Sequence, residues 1–107
     1  MDLKPENIMF TSDKNLIVKI IDFGLSHILR GIETDSGKID VPSWGTPNYM
    51  APEVFLQQTT EIENMKKCDL WSVGMIMYYL VCWEFPFDSS SIADHCEQVV
   101  YSAINFH

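Results

Sequence analysis

Four polar side chains near the start of the sequence carry groups that could handle a phosphoryl group. Asp2, Lys4 and Asn7 lie within one short segment, and Asp22 follows the next apolar stretch. Amide and carboxylate oxygens are hard ligands of the kind that Mg²⁺ takes when phosphate oxygens complete its shell, so Asn7 and Asp22 are candidate metal ligands. Lys4 could meet the charge of a transferring phosphoryl group. Asp2 could accept a proton from a hydroxyl nucleophile or orient it.

Two short apolar segments are placed to bring these side chains together. Residues 8–10 are apolar, residues 16–21 are rich in β-branched side chains, and residues 11–15 between them have turn chemistry. This pattern predicts a β-hairpin. Because Asn7 and Asp22 flank the hairpin at the same end, we expect them to lie close together.

The sequence after the hairpin predicts a long loop and a short helix. Residues 22–52 show no sustained hydrophobic period and are broken repeatedly by glycine and proline. Loops of this length inside a compact domain are uncommon and usually functional. Residues 53–58 could form a short helix, and the polar segment 59–67 is expected to be exposed.

Two further helices are predicted in the last third of the chain. Residues 69–85 are apolar on every side, which is typical of a helix buried all round, and the run is too short to span a bilayer. Asp69 is expected at its start, where a carboxylate meets free N–H groups and the positive end of the helix dipole. Residues 92–104 predict an amphipathic helix, with Ser91 as its N-cap.

The composition describes a small, acidic, globular chain. Its 107 residues are 47% hydrophobic and carry a formal net charge of −8. This excludes a disordered chain and argues against nucleic acid or an anionic membrane as the main partner, because both would repel it. The three cysteines form no C-x-x-C pair, which argues against a disulfide framework or a zinc site. We therefore expect a soluble protein of a reducing, cytoplasmic compartment.

Several motifs resemble those of eukaryotic protein kinases. The chain contains D-L-K-P-E-N at residues 2–7, D-F-G at residues 22–24 and A-P-E at residues 51–53, in the order that this family has. The longer phrases GTPNYMAPE at residues 45–53 and CDLWSVG at residues 68–74 strengthen the resemblance, which covers essentially the whole chain. The resemblance implies an α+β fold: a fragment of the mainly helical kinase C-lobe, with a short β-hairpin, a long activation segment and about three helices.

The amino-acid sequences of these motifs are similar to those of serine/threonine kinases rather than tyrosine kinases. They also resemble the calcium/calmodulin-regulated group, especially calcium-dependent protein kinases, in the phrases IIDFGLS, GTPNYMAPEVF and KKCDLWSVGMIMYYLVC. Calcium-binding loops of the D-x-[DN]-x-[DN]-G form are absent from the sequence. Any calcium-sensing regulatory segment would therefore lie outside this chain.

The resemblance implies a role for each of the four polar side chains. Asp2 resembles the catalytic-loop aspartate, and Lys4 the lysine that contacts the γ-phosphate. Asn7 and Asp22 resemble the two magnesium ligands. The implied cofactors are ATP and Mg²⁺, and the implied partners are protein substrates that bear serine or threonine.

The resemblance also marks positions around the nucleotide and the central helix. Met9 and Ile21 fall where the family places side chains against the adenine and near the nucleotide; both could also belong to the hairpin core, and the two roles are compatible. Phe23 resembles the D-F-G phenylalanine that packs on a hydrophobic spine, and Gly24 completes that motif. Asp69 resembles an aspartate that accepts hydrogen bonds from the catalytic-loop backbone.

Residues 22–53 correspond to the activation segment of the family. Thr46 occupies a position that hydrogen-bonds the catalytic aspartate and lysine and marks specificity for hydroxyl amino acids. Ser43 is the best candidate for regulatory phosphorylation in this segment, with an ordinary loop hydroxyl as the alternative. Glu53 is the A-P-E glutamate, and we expect it to lack the arginine that normally pairs with it.

The chain departs from the family pattern at both ends. Met1 stands where the family has histidine and arginine before the catalytic aspartate, and the glycine-rich loop and strand lysine are missing. We expect residues 1–107 to be a partial kinase domain, from the catalytic loop to the helix after the central one, without N-lobe and C-terminal helices. Such a piece should expose apolar surface and be inactive by itself. The alternative is a truncated, catalytically dead kinase-like interaction module.

Overall fold

The computed structural model describes residues 2–12, 14–24, 38–40, 45–56 and 59–102. Its elements combine short strands with three α-helices in this part of the chain, so the predicted α+β class is confirmed. In chain order they are a 3₁₀ turn (Pro5–Asn7), β1 (Ile8–Phe10), β2 (Val18–Ile20), β3 (Lys38–Asp40), a second 3₁₀ turn (Pro47–Tyr49), α1 (Pro52–Phe55), β4 (Thr59–Glu61), α2 (Ile62–Cys82) and α3 (Ile92–Tyr101).

The predicted hairpin is confirmed by β1 and β2. The two strands pair antiparallel, with Ile8 opposite Ile20 and Phe10 opposite Val18. The second strand is shorter than residues 16–21, because Leu16 has a φ of 44° and belongs to the turn. At the other end, the Ile21 amide donates to the Asn7 carbonyl at 2.8 Å, which continues the pairing beyond the strands.

The prediction of one uninterrupted loop over residues 22–52 is wrong. β3 lies within this range and pairs antiparallel with β4. β4 itself lies in the segment 59–67, which was expected only to be polar and exposed. Neither strand has alternating apolar residues, so backbone pairing forms them without the periodic signal by which strands are recognised. The short helix expected at residues 53–58 begins one residue earlier and ends at Phe55, with a proline at its first turn.

The central helix α2 begins earlier than predicted. It starts at Ile62, so Asp69 lies inside the helix and cannot cap its N-terminus. The polar residues before Asp69 form helix readily, although they lack the apolar character on which the prediction rested. The helix ends at Cys82 rather than at residue 85, because Trp83 has a φ of 61° and leaves the helical conformation.

α2 is buried on one side only, which corrects the expectation of burial all round. Ser72, Met75 and Ile76 are buried, whereas Val81 is 79% exposed. The other exposed apolar side chains of this helix are Leu70, Val73, Met77 and Leu80. The expectation of exposed apolar surface is thus confirmed in the described residues. No helix in the described ranges is both long and apolar enough to cross a membrane.

The core lies between α2, α3 and the two 3₁₀ turns. It is formed by the buried side chains Leu3, Tyr49, Met75, Ile76, Phe87 and Val99. The predicted cap of α3 is confirmed, because Ser91 Oγ accepts from the Asp94 amide at 3.1 Å. α3 ends at Tyr101; the predicted continuation past Ser102 lies outside the described residues. α3 packs against α1 and the second 3₁₀ turn, and so supports the residues around Thr46.

Candidate active site

The segment from Asp2 to Asn7 folds back on itself. Pro5 opens a 3₁₀ turn, in which the Asn7 amide donates to the Lys4 carbonyl at 2.9 Å. The turn brings the Asn7 side chain to the Asp2 carbonyl, to which Nδ2 donates at 2.8 Å. Leu3 is buried and fixes the segment to the core. The polar side chains of this segment are therefore held by a local turn and one apolar anchor.

Asp2, Lys4 and Thr46 form a closed triangle of polar contacts. Lys4 Nζ lies 3.0 Å from Asp2 Oδ2 and donates to Thr46 Oγ1 at 3.0 Å. The Thr46 amide donates to Asp2 Oδ1, also at 3.0 Å. Gly45, with a φ of 138°, gives the backbone the turn that precedes Thr46. The contacts expected of Thr46 from the motif are thus present.

These contacts favour the charged forms of Asp2 and Lys4, so both groups are ionised at neutral pH. Burial raises the pKa of Asp2, but hydrogen bonds from Lys4 and Thr46 outweigh burial and bring this pKa below its ordinary value. The hydrogen bond to Asp2 is the main cause that raises the pKa of Lys4, and it outweighs desolvation. The cluster therefore presents a carboxylate that can accept a proton and a cation that can meet negative charge.

Asn7 and Asp22 come to the same end of the hairpin, as predicted. The bond between the Ile21 amide and the Asn7 carbonyl joins the two segments directly before Asp22. Asn7 is buried, whereas Asp22 is exposed, has a φ of 62° and accepts from the Gly24 amide at 3.3 Å. Because the Asn7 amide nitrogen is bound to Asp2, its oxygen is the end of the side chain suited to a cation. One amide oxygen and one carboxylate fit Mg²⁺ that is shared with phosphate oxygens.

The side chains predicted around the nucleotide do not form a core in the described residues. Met9 and Ile21 are exposed, so their interpretation as hairpin core is wrong. Phe23, expected to pack on a hydrophobic spine, is 61% exposed, because no apolar surface of the described residues covers this side of the hairpin. Gly24 contacts Asp22 through its amide. Ser43 lies outside the described residues.

Glu53 has a partner that the sequence analysis missed. The Cys68 thiol donates to Glu53 Oε1 at 3.2 Å, so this glutamate is hydrogen-bonded within the chain, while its pairing with an arginine stays untested. Burial, followed by the neighbouring Glu53, raises the pKa of Cys68 to about 12, so the thiol stays protonated and can donate. The pairing joins α1 to α2, and nothing in the spacing of the two residues indicates it.

Two further features near Thr46 also escaped the sequence analysis. His95 is buried, and its Nε2 lies 3.2 Å from the Pro47 carbonyl oxygen. Phe85 stacks on Tyr79 at 4.8 Å between ring centroids and meets Tyr49 edge-on at 5.4 Å. A cleft of about 570 Å³ next to Thr46 is lined by Pro5, Glu6, Thr46, Asn48, Tyr49, Tyr79 and Phe85.

Comparison with known proteins gives the same family over almost the whole chain. Residues 1–106 match the family described as "Protein kinase domain". Calcium-dependent protein kinase 6 of Plasmodium berghei is 44% identical over 90 residues, which are 84% of this chain and 6% of that protein. The probable serine/threonine-protein kinase fhkC of Dictyostelium discoideum is 37% identical over 105 residues, 98% of this chain and 17% of that protein.

The carbon catabolite-derepressing protein kinase of Saccharomyces cerevisiae is 45% identical over 91 residues, 85% of this chain and 13% of that protein. The resemblance to serine/threonine kinases, calcium-dependent ones among them, is therefore confirmed. The names of the Dictyostelium discoideum and Saccharomyces cerevisiae kinases do not mention calcium. The chain spans less than a fifth of the length of each of these three relatives.

Proposed function

Because the chain belongs to the protein kinase family and is a serine/threonine kinase by resemblance, we propose that its protein transfers the γ-phosphoryl group of ATP to serine or threonine hydroxyls of proteins. The observation that carries this proposal is the triangle of Asp2, Lys4 and Thr46. It places an ionised carboxylate and an ammonium group side by side, with the hydroxyl and amide of Thr46 holding both.

The geometry of the triangle supports a different role for each of its three residues in phosphoryl transfer. The Asp2 carboxylate accepts the proton of the substrate hydroxyl, or orients that hydroxyl towards the phosphorus atom. The Lys4 ammonium group meets the charge on the transferring phosphoryl oxygens. Thr46 holds the two at a fixed separation, and positions the substrate hydroxyl beside Asp2.

Asn7 and Asp22 are the proposed ligands of Mg²⁺, which would neutralise phosphate charge when bound. The backbone bond between Ile21 and Asn7 supports this pairing, because it fixes the two ligand-bearing segments at one end of the hairpin. Asp22 Oδ1 accepts from the Gly24 amide, and this bond orients the carboxylate. Met9 and Ile21, exposed beside these residues, are proposed to contact the nucleotide.

The remaining assignments follow from the family motifs and are proposals of the same kind. Residues 1–107 form part of the kinase C-lobe, and residues 22–53 form its activation segment. Phe23 is proposed to pack on the hydrophobic spine as the D-F-G phenylalanine, and Glu53 to pair with an arginine as the A-P-E glutamate. Ser43 is the proposed site of regulatory phosphorylation. A glycine-rich loop and a calcium-sensing segment would have to come from outside these residues. We also propose a cytoplasmic location, from the composition and the cysteine pattern.

The function is tested with the full-length protein, ATP, Mg²⁺ and a protein substrate that contains serine and threonine. Transfer of labelled phosphate to these hydroxyls is expected, and Asp2→Asn should reduce kcat by about 10²–10⁴-fold, the range that positioned proton transfer supplies. Mass spectrometry of the active protein should find phosphate on Ser43.

Asp88→Asn is the matched control, because it makes the same chemical change at an exposed aspartate outside the triangle. It should leave kcat unchanged. Absence of transfer by the unaltered protein would favour the alternative of a kinase-like interaction module. Full activity of Asp2→Asn would remove Asp2 from the mechanism.

A further inference from the structure

The imidazole of His95 joins α3 to the turn that follows Thr46. His95 is only 5% exposed, and its Nε2 lies 3.2 Å from the carbonyl oxygen of Pro47. A carbonyl oxygen can only accept, so Nε2 carries the hydrogen in this contact. The ring also meets Phe55 edge-on, at 5.9 Å between centroids. The side chain is therefore held by packing on one element and by a hydrogen bond to another.

The Pro47–Tyr49 turn is bound from two sides. The Tyr49 carbonyl accepts from Ser72 Oγ of α2 at 2.7 Å, and the Pro47 carbonyl accepts from His95 of α3. Inside the turn, the Tyr49 amide donates to the Thr46 carbonyl at 3.0 Å. Proline has no N–H, so the carbonyl is the only backbone group through which Pro47 can be hydrogen-bonded. His95 therefore anchors the residue that directly follows Thr46.

We propose that His95 is a positioning residue: by fixing the Pro47 carbonyl it sets Thr46 against Asp2 and Lys4. Its effect on phosphoryl transfer rests on the proposed function, whereas its effect on the placement of Thr46 does not. Thr46 contacts Asp2 through its amide and Lys4 through its hydroxyl, so a shift of the turn would disturb both contacts. His95 itself contacts the Pro47 carbonyl and Phe55, and acts through Thr46.

Three variants of the full-length protein separate this role from simple packing. His95→Leu keeps an apolar side chain of similar size but removes the donor. His95→Gln keeps an N–H donor at a similar distance from the backbone. Gln98→Ala is the matched control, because Gln98 lies on the same helix and donates a bond of the same length, 3.2 Å, to the Asp88 carbonyl instead.

The first readout is independent of enzyme activity. With ¹⁵N-labelled histidine and threonine, NMR spectra should show a proton on Nε2 of His95. The Thr46 amide resonance should move in His95→Leu, return towards its original position in His95→Gln and stay in place in Gln98→Ala. A proton on Nδ1 alone, or an unmoved Thr46 resonance in His95→Leu, would overturn the proposal.

The second readout is the kinetics of phosphoryl transfer. His95→Leu should lower kcat/KM for the protein substrate about fivefold, the effect of one ordinary hydrogen bond, while KM for ATP stays the same. His95→Gln should recover most of this loss. Unchanged kcat/KM in His95→Leu, or an equal loss in Gln98→Ala, would contradict the positioning role. If the unaltered protein transfers no phosphate, the proposed function fails, and the NMR spectra still decide the placement of Thr46.

Discussion

The two halves of the candidate active site differ in how firmly the described chain holds them. In one half, Asp2, Lys4 and Thr46 bind one another through three contacts of 3.0 Å. In the other half, Asp22 is exposed, and the bond that orients its carboxylate is a longer one, 3.3 Å, from the Gly24 amide two residues away. Asn7 belongs to both, because its buried side chain donates to the Asp2 carbonyl while its own carbonyl accepts from the Ile21 amide at the hairpin end.

This difference indicates which part of the chemistry is preorganised by the fold. The triangle joins segments more than 40 residues apart in the sequence, and its charges are paired before any substrate arrives. The hairpin brings the segments of Asn7 and Asp22 to one end, but it leaves the Asp22 carboxylate open to solvent. With the roles proposed above, proton transfer would rely on contacts within the chain, whereas bound metal and phosphate would complete the order around Asp22.

Two glycines give the largest expected contrast between the halves. Gly45 precedes Thr46 at a φ of 138°, and an added Cβ would lie 3.3 Å from Met50 Cγ. Gly45→Ala should therefore lower the free energy of unfolding by about 2 kcal/mol, the typical cost of a strained backbone. Urea unfolding of the variant and the unaltered protein measures this change.

Gly24→Ala is the matched substitution in the half of the site around Asp22. Its Cβ would lie 3.3 Å from Asp22 Oδ1, but this carboxylate is exposed and can move. Gly24→Ala should cost less than about 0.5 kcal/mol, as surface substitutions generally do. Equal losses in the two alanine variants would show that the halves are held equally firmly.

Isosteric changes at the two aspartates give a smaller contrast in stability. Asp2→Asn removes the charge to which Lys4 and Thr46 donate, and should cost about 1.5 kcal/mol, since hydrogen bonds to charged groups are the stronger ones. Asp22→Asn should change the free energy of unfolding by less than about 0.5 kcal/mol, because asparagine also accepts a positive φ.

The measurement is urea unfolding without added nucleotide or metal. A loss at Asp22→Asn as large as that at Asp2→Asn would mean that the chain preorganises the half of the site around Asp22 as well. In a second series of measurements, ATP and Mg²⁺ should stabilise the unaltered protein more than they stabilise Asp22→Asn, because binding to the folded state raises its stability.

The parts of this site that could be predicted from the sequence are those that local chemistry determines. Turn residues between two apolar segments indicate the hairpin, and hence that Asn7 and Asp22 lie at the same end of it. A serine before an amphipathic segment indicates the cap of α3. The contacts of Thr46 could be expected because its motif resembles that of a family in which the same residue types meet.

The parts that were missed depend on contacts between distant segments. β3 and β4 pair through their backbones, and α2 begins with polar residues, so neither has the hydrophobic period that marks an element. Cys68 lies 15 residues from its partner Glu53 in the sequence, and Pro47 lies 48 residues from its partner His95. Only the folded chain shows that such side chains meet. The exposed side of α2 is a further case. Its apolar sequence predicted burial on every side, but the sequence of a helix does not show which of its sides other elements cover.

The smallest expected effect is a change in the titration of Asp2. Although burial raises the pKa of Asp2, its contacts with Lys4 and Thr46 place the pKa below the ordinary 3.8. Because this folded-state pKa is the lower one, ionised Asp2 contributes stability above pH 3.8, and the contribution is lost as pH falls through the folded-state pKa. Lys4→Met should raise the pKa of Asp2, since it removes one of the groups that favour the carboxylate.

The titration is followed by NMR of the Asp2 carboxyl carbon in the full-length protein. Lys67→Met is the matched control, because the Lys67 ammonium group donates to Asn64 at 2.7 Å rather than to Asp2. It should leave the midpoint of Asp2 in place, whereas Lys4→Met shifts the midpoint upwards and brings acid unfolding to a higher pH. Equal midpoints in the two variants would mean that the Thr46 contacts alone keep Asp2 ionised, and that the triangle does not act as one unit.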